Sequence, residues 1–202
     1  MNLCGDLFRF VRHPSFIAAF LLAVLSGSPA SQNVKTPDTR CPADMAWVEA
    51  GGFCMDRYEF PNKKGEEPIR DIDLGEAIRL CASRGKTVPS RAEFTAACGG
   101  QNRDLYVYGP NYLPGQCRSG LEWPKGPAAA GSYPGCARDG IYDLNGNVWE
   151  WVWQEKGQGR SHIAGGAWNT GPDHANCQDM VRLVNLVLAP SIGVRCILTP
   201  VK

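Results

Sequence analysis

The stretch YDLNGNVWEWV, residues 142–152, places two acids, an asparagine–glycine turn and two tryptophans within eleven residues. Asp143 and Glu150 supply carboxylates, and the turn between them supplies backbone carbonyls. Calcium binds about six to eight hard oxygen ligands of these kinds, and glycine at position 146 lets the backbone direct a carbonyl inward at little steric cost. The pattern therefore indicates a cation site. The alternative is an ordinary turn whose acid is satisfied by backbone amides, and the tryptophans belong to the core in either case.

Familiar catalytic motifs are absent from the sequence, which has no Gly-rich phosphate loop, Gly-x-Ser-x-Gly elbow or His-Glu-x-x-His helix. Beyond residue 30 the only histidines are His162 and His174, which are too few for a three-histidine metal site. Asp173 beside His174 is a candidate acid–base pair. Adjacent residues rarely face each other, however, so a solvated histidine is the simpler interpretation.

Residues 1–30 have the features of a secretory signal peptide. Arg9 and Arg12 form a positive flank, an apolar run follows at 16–25, and the small residues SPA end the segment at 28–30. The ten apolar residues are too few to span a bilayer comfortably as a helix, and an uncleaved anchor is the alternative. We therefore expect an exported protein, periplasmic or secreted, without membrane association after cleavage.

The chain beyond the signal peptide is electrically neutral. Of 21 basic and 20 acidic residues, Arg9, Arg12 and Asp6 belong to the signal peptide, which leaves 19 of each sign. A neutral, unpatterned surface does not favour nucleic acid or an anionic membrane as partner. Residues 31–40 form a short linker, and residues 41–202 are long enough for one domain with its own core.

Eight cysteines lie beyond the signal peptide, and an even number in an exported chain predicts four disulfides. Zinc binding would need close Cys-x-x-Cys pairs, and the sequence has none. Sequence alone leaves about 105 connectivities open. The eight residues are Cys41, Cys54, Cys81, Cys98, Cys117, Cys136, Cys177 and Cys196.

Periodicity and turn signals predict short elements. Residues 45–50 and 53–60 flank a Gly-Gly turn as a hairpin, with Cys41 and Cys54 close enough to staple it. A first helix is predicted at 74–85, and a capping box opens a second helix at Ser90. The inward faces are predicted to consist of Leu74, Ala77, Ile78 and Cys81 in the first helix and Phe94, Ala97 and Cys98 in the second.

Two further strands are predicted near the carboxyl end, at 161–168 and 192–198. With helices near the start, strands at both ends and a loop-rich middle, the chain is predicted to form a single α+β domain. We expect the terminal strands to pair in one sheet.

Four motifs together resemble the formylglycine-generating enzyme family, also called the sulfatase-modifying factor family. They are GKTVPSRAEFTAACGG at 85–100, YDLNGNVWEWV at 142–152, IAGGAW at 163–168 and IGVRC at 192–196. Each motif is modest alone, whereas four in the family's order and spacing, over about residues 43–198, are specific. The resemblance implies a loop-rich variant of the C-type lectin fold.

The resemblance also implies disulfide pairings. Family members join a helix cysteine to one in the final strand, and they have a second bridge that maps onto the second helix here. The remaining two pairs are inferred by proximity and elimination. The four predicted bridges are Cys81–Cys196, Cys98–Cys177, Cys41–Cys54 and Cys117–Cys136.

Family members bind calcium at the turn corresponding to 143–150. The matching atoms here are the carboxylates of Asp143 and Glu150 and the carbonyl oxygens of Gly146 and Val148, so the resemblance implies a structural calcium ion. A second calcium site of the family corresponds to 111–120, where this chain has no convincing ligands.

The match fails at the catalytic residues. The family's oxidase uses two cysteines after a Gly-Gly-Ser motif, which bind copper as thiolates and oxidise a sulfatase cysteine to formylglycine. Here Ala167 replaces the serine, Asn169 and Thr170 lie at the first cysteine, and the single cysteine, Cys177, is assigned to a bridge. Copper(I) prefers thiolate or thioether ligands. We therefore expect neither copper nor oxidase activity.

Two functions are compatible with these features. The first is a non-catalytic module whose loops 101–125 and 168–190 bind a peptide, glycan or protein. The second is an enzyme of the same superfamily with a different oxidative or siderophore-modifying chemistry, which bound copper or iron and a deep pocket would favour. The ligand-binding candidates are polar and aromatic residues of the type enriched in binding patches. They are Trp168, Asn169, Asp173, His174 and Arg182, with Tyr106, Tyr108 and Trp123 beside them.

Overall fold

The structure is a computed structural model that describes residues 39–120, 126–155, 161–183 and 189–199. The predicted signal peptide, most of the predicted linker and Trp123 therefore lie outside the described residues. No helix within the described ranges is long and apolar enough to cross a membrane.

The described chain forms two nine-residue helices and short strands of two to five residues. The helices are α1 (Leu74–Ala82) and α2 (Arg91–Gly99). The strands are β1 (Met45–Val48), β2 (Phe53–Asp56), β3 (Ala137–Arg138), β4 (Ile141–Tyr142), β5 (Trp149–Trp153), β6 (Ser161–Ala164), β7 (Met180–Leu183), β8 (Ile192–Gly193) and β9 (Ile197–Leu198).

Two sheets organise the domain. One has the order β1-β2-β9, so the predicted hairpin and the predicted pairing of the terminal strands are both confirmed. The other has the order β7-β6-β5-β8, and β3 pairs with β4 separately. The prediction of one strand over 192–198 is wrong. Its first part, β8, pairs in parallel with β5, and its last part, β9, joins the other sheet.

The strand predicted at 161–168 is shorter than expected. It ends at Ala164 because Gly165 and Gly166 adopt left-handed backbone angles, with φ of 88° and 80°. A Cβ atom at Gly166 would lie 2.5 Å from the Cα atom of Ala175. The chain therefore leaves the sheet in a tight turn that only glycine accommodates at this position.

Both helices begin where the sequence predicts. The Asp73 carboxylate accepts a hydrogen bond from the Glu76 amide at the start of α1, and Ser90 and Glu93 form the predicted capping box of α2. The prediction that Ile78 faces the core is wrong, since its side chain is 38% exposed. At about 100° per residue, Ile78 lies roughly 40° beyond Leu74 on the side away from the core.

Four disulfides join the same pairs that the sequence analysis proposed: Cys41–Cys54, Cys81–Cys196, Cys98–Cys177 and Cys117–Cys136. The core has two parts on either side of β5. Trp149 and Trp151 pack on the side of α1, whereas Val152 packs with Phe94 of α2. The tryptophans of the opening motif are thus core residues, and the acid between them is enclosed.

Candidate functional site

The turn between β4 and β5 is built from residues in left-handed conformations. Asp143, Gly146 and Asn147 have φ of 62°, 83° and 55°. A Cβ atom at Gly146 would lie 2.2 Å from the Arg118 carbonyl oxygen, which accepts a hydrogen bond from the Asn147 amide. Only glycine fits this contact, so the close approach of a neighbouring loop requires glycine at position 146.

Two buried asparagine side chains fasten the turn to other loops. The Asn145 side-chain oxygen accepts a hydrogen bond of 2.7 Å from the Val107 amide, and that of Asn147 accepts one of 2.8 Å from the Ala128 amide. Both residues are 1% exposed. Because buried polar groups need partners, these bonds hold the turn in one conformation relative to the loops before it.

Glu150 pairs with Arg195 in the interior. The Arg195 Nε lies 3.1 Å from each Glu150 carboxylate oxygen, and Nη2 lies 2.8 Å from one of them. The guanidinium also donates to the carbonyl oxygens of Asp56 and Tyr142. Arg195 is fully buried at the crossing between β8 and β9. Arg195 was not among the predicted site residues, although an arginine inside the apolar run IGVRCIL is typical of a buried charge.

Two more carboxylates surround this pair. Glu59, which the sequence analysis also missed, is fully buried and accepts hydrogen bonds from the Asn147 side-chain amide at 2.8 Å and the Val148 amide at 3.3 Å. The Asp143 Oδ2 accepts one from the Gly131 amide at 2.6 Å. Three buried carboxylates thus surround one guanidinium, which leaves a formal charge of −2 when all are ionised.

Burial raises the pKa of all three acids. Desolvation moves the pKa of Glu59 well above its ordinary value, and the negative charge of Asp143 adds to the effect. Desolvation also raises the pKa of Asp143 to about 6 and raises the pKa of Glu150 above its ordinary value. The positive charge of Arg195 opposes both shifts. The cluster therefore favours a bound proton or an added cation.

Three of the four predicted calcium ligands are compatible with a cation. Within the described residues, the carbonyl oxygens of the buried Gly146 and Val148 accept no hydrogen bond, and Asp143 uses only Oδ2. Buried carbonyls normally have a partner. The fourth ligand fits less well, because both Glu150 oxygens contact Arg195. No three acidic, histidine or cysteine side chains of the described residues converge as metal ligands, so a cation here would depend on the carbonyls.

The segment 167–177, which the resemblance aligns with the family's catalytic loop, uses its polar groups in structural bonds. The Ala167 amide donates to the Thr170 hydroxyl, and the Thr170 amide donates to the Ala167 carbonyl, both at 3.0 Å. Thr170 is therefore committed to closing this turn. Cys177 is fully buried and bonded to Cys98. Every cysteine among the described residues is in a disulfide, so the described part of the chain offers no thiolate.

The predicted ligand-binding residues do not form one cluster. Trp168 is buried, and its indole nitrogen has no hydrogen-bond partner among the described residues, whereas Asn169 is half-buried. Asp173 and His174 are exposed on the following loop. Arg182 is exposed on β7 opposite His162, and among the described residues it makes no hydrogen bond or ion pair with that loop.

The exposed histidine has a different acidic partner from the one considered in the sequence. His174 Nδ1 lies 2.5 Å from the carboxylate of Asp179, not that of Asp173. The Asn176 side-chain oxygen accepts hydrogen bonds from the amides of Gln178 and Asp179 and so shapes the loop that presents the pair. Sequence adjacency was misleading here because the loop turns back on itself.

Aromatic residues adjoin this loop. Tyr106 and Tyr108 stack with ring centroids 5.5 Å apart, and Tyr112 lies 5.7 Å from Tyr106. The Tyr106 hydroxyl donates to the Pro172 carbonyl at 3.2 Å. Desolvation first, and then the charge of Asp173, raise the pKa of Tyr106. We call this surface the tyrosine face, and it comprises Tyr106, Tyr108, Tyr112, Leu113, Asp173 and His174.

Sequence comparison assigns these features to a known family. The chain matches the sulfatase-modifying factor enzyme 1-like domain over residues 9–200. It is 32% identical over 155 residues to the inactive C-alpha-formylglycine-generating enzyme 2 of Mus musculus, which covers 66% of this chain and 50% of that protein. It is 28% identical over 141 residues to the formylglycine-generating enzyme of Mus musculus, with coverages of 60% and 38%. The chain thus spans about half the length of these relatives, or less.

Structural comparison agrees on the fold. The Treponema denticola variable protein 1 superposes with a TM-score of 0.59 at 13% identity, covering 79% of this chain and 92% of that one. At this identity the likeness concerns the fold alone. The expected α+β fold of the C-type-lectin-like kind is confirmed, and the chain belongs to the sulfatase-modifying factor family of formylglycine-generating enzyme-like domains.

Proposed function

We propose that this protein is an exported binding module of the family that lacks oxidase activity and is stabilised by calcium. The observation that carries the proposal is the state of the segment 167–177. Its only cysteine is in a buried disulfide, and its threonine hydroxyl closes a turn. A disulfide sulfur is neither a nucleophilic thiolate nor a copper ligand. The name of the 32% identical relative, which describes it as inactive, supports the same conclusion.

Export is supported by the cysteines. Four disulfides persist in oxidising compartments and are rare in the reducing cytosol. The signal-like segment at 1–30 provides a route to such a compartment. We propose a periplasmic or secreted location, with the mature chain beginning after Ala30.

Calcium is supported by the electrostatics of the turn. A divalent cation would neutralise the formal charge of −2 on the cluster and would give the unpaired carbonyls of Gly146 and Val148 a partner. Asp143 would contribute Oδ1, and Glu150 would share its carboxylate between the ion and Arg195. The role is structural, because the turn is enclosed and its ligands are buried.

The tyrosine face is the surface that we propose for ligand binding. Tyr108 and Tyr112 are half-buried and are backed by the buried Tyr106. Tyrosine offers rigid, amphipathic contact area at low entropic cost, and Asp173 and His174 add polar groups beside them. The ligand class is a peptide, glycan or protein. Tyr108→Ala is expected to remove binding and leave the fold intact, because Tyr108 is only half-buried.

The decisive experiment separates this function from an enzyme of the same superfamily. Exported protein is denatured without reductant and alkylated, and native protein is incubated with copper and a cysteine-containing sulfatase peptide. We expect no alkylated cysteine in the mature chain and no aldehyde on the peptide. Aldehyde formation, or copper or iron retained in stoichiometric amount after purification, would overturn the binding module in favour of an enzyme.

A further inference from the structure

A groove on the outer face of α2 has no lining residue in common with the tyrosine face. Its cavity volume is about 1040 Å³, and its floor consists of Ala92, Thr95 and Ala96. The opposite side of α2 buries Phe94 and Ala97. An exposed helix face normally carries charged or long polar side chains. Here the small side chains leave the floor of the groove close to the helix backbone, so another chain can approach it closely.

Two arginines line this groove: Arg91 is the first residue of α2, and Arg103 follows the last residue of α2 by four positions. Arg91 donates to the side-chain oxygen of Gln154 at 3.2 Å and to the sulfur of Met180 at 3.1 Å, and neither partner is a carboxylate. The Arg103 side chain forms no hydrogen bond or ion pair with any residue in the described ranges. Glu155 also lines the groove and is engaged in an interaction of its own. Among the described residues, neither arginine of the groove therefore has a carboxylate partner.

Amide side chains complete the walls. Gln101, Gln154 and Gln178 line the groove, and the Gln178 amide also donates to the Arg103 carbonyl at 3.2 Å. A carboxamide both donates and accepts hydrogen bonds. Such groups match the alternating N–H and C=O groups of an extended polypeptide better than they match a small anion.

The length of the floor sets the spacing of a matching ligand. The nine residues of α2 rise about 1.5 Å each, which gives roughly 13 Å between the helix ends. An extended peptide advances about 3.3 Å per residue, so about four residues span the same distance. Acidic side chains four positions apart lie on the same side of an extended chain and would reach both arginines.

We propose that this groove binds an extended acidic segment of a partner protein. Two carboxylates about four residues apart pair with Arg91 and Arg103, and the glutamines hold the intervening backbone over Ala92 and Ala96. This site is separate from the tyrosine face and does not depend on the ligand proposed there.

The test measures binding of a fluorescent peptide, Ser-Asp-Gly-Ser-Gly-Asp-Ser, to the exported protein by anisotropy at low salt. We expect saturable binding that weakens as salt rises, because charge pairs at a surface are screened. The matched peptide with asparagine in place of both aspartates should bind at least about tenfold more weakly. Equal binding of the two peptides, or no saturable binding, would overturn the proposal.

Variants locate the site. Ala92→Trp fills the groove from an exposed position and should reduce affinity at least about tenfold with an unchanged circular dichroism spectrum, and Arg103→Gln should reduce it about fivefold. Arg79→Gln on α1, whose side chain is 70% exposed, and Tyr108→Ala on the tyrosine face should leave peptide affinity unchanged. Binding that survives Ala92→Trp, or that is lost in Tyr108→Ala, would contradict the assignment to the α2 groove.

Discussion

The turn 143–150 and the segment 167–177 are neighbours joined by a hydrogen bond from the Trp168 amide to the Asn147 carbonyl, yet they differ in what their polar groups do. In the turn, acids and carbonyls gather around a buried arginine with an excess of negative charge. In the segment, the Thr170 hydroxyl closes a turn and the Cys177 sulfur is bonded to Cys98. Thr170 and Cys177 thus have structural partners, whereas the acids of the turn outnumber the one cation among them.

The largest expected effect comes from removing the disulfide that holds the segment 167–177. Replacing Cys98 and Cys177 together by alanine removes a bridge across 79 residues, for which the chain-entropy model gives about 4–5 kcal/mol. Urea unfolding should show this loss. The matched control removes Cys41 and Cys54, which are 13 residues apart, and should cost about 3 kcal/mol. Equal losses in the two double variants would contradict the ranking.

The anchor of the turn is Arg195. Arg195→Met leaves three buried carboxylates without a cation and should destabilise the fold by about 3–5 kcal/mol. Arg195→Lys keeps the charge but cannot make the same forked contact, so its stability should lie between that of the wild type and that of Arg195→Met. Urea unfolding measures both. A loss for Arg195→Met no greater than that of the exposed Arg79→Gln would show that the cluster is not held by this residue.

A pair of glycines compares the two regions directly. Gly146→Ala combines a left-handed φ with a clash against the Arg118 carbonyl and should cost about 2 kcal/mol or more. Gly171→Ala meets no atom within 4 Å and should be close to neutral. Thermal unfolding of the two variants provides the measurement. A similar cost at both positions would mean that the turn is less constrained than the structure indicates.

The smallest expected effect is a pH dependence at His162. Burial lowers its pKa, and Arg91 and Arg182 add to this. Below the ordinary value of 6.5 the histidine of the unfolded chain binds a proton more readily than the native one, so the contribution of His162 to stability should fall as pH drops below 6.5. This contribution is opposite in sign to that of the buried acids whose pKa is raised. His162→Asn should remove this contribution from the pH dependence of stability measured by urea unfolding, whereas the exposed His174→Asn should leave the pH dependence unchanged. The same pH dependence in both variants would show that His162 does not contribute to it.

Local patterns predicted most of the framework. The hairpin, the capping box at Ser90 and the inward cysteines follow from spacing and turn chemistry, which are properties of short stretches. The buried partners of the turn could not be predicted from local spacing. Arg195 lies 45 positions from Glu150, and Glu59 precedes Asn147 by 88 positions. The division of 192–198 between two sheets was also hidden, since a strand has the same alternation in either sheet.

We propose that the turn 143–150 binds a metal ion and that the segment 167–177 does not. Equilibrium dialysis of the exported protein against calcium and, separately, copper, followed by elemental analysis, tests both halves in one measurement. We expect one calcium per chain, bound more weakly in Glu150→Gln, and no stoichiometric copper. One copper per chain that is lost in Cys177→Ser, or no bound calcium, would contradict the proposal.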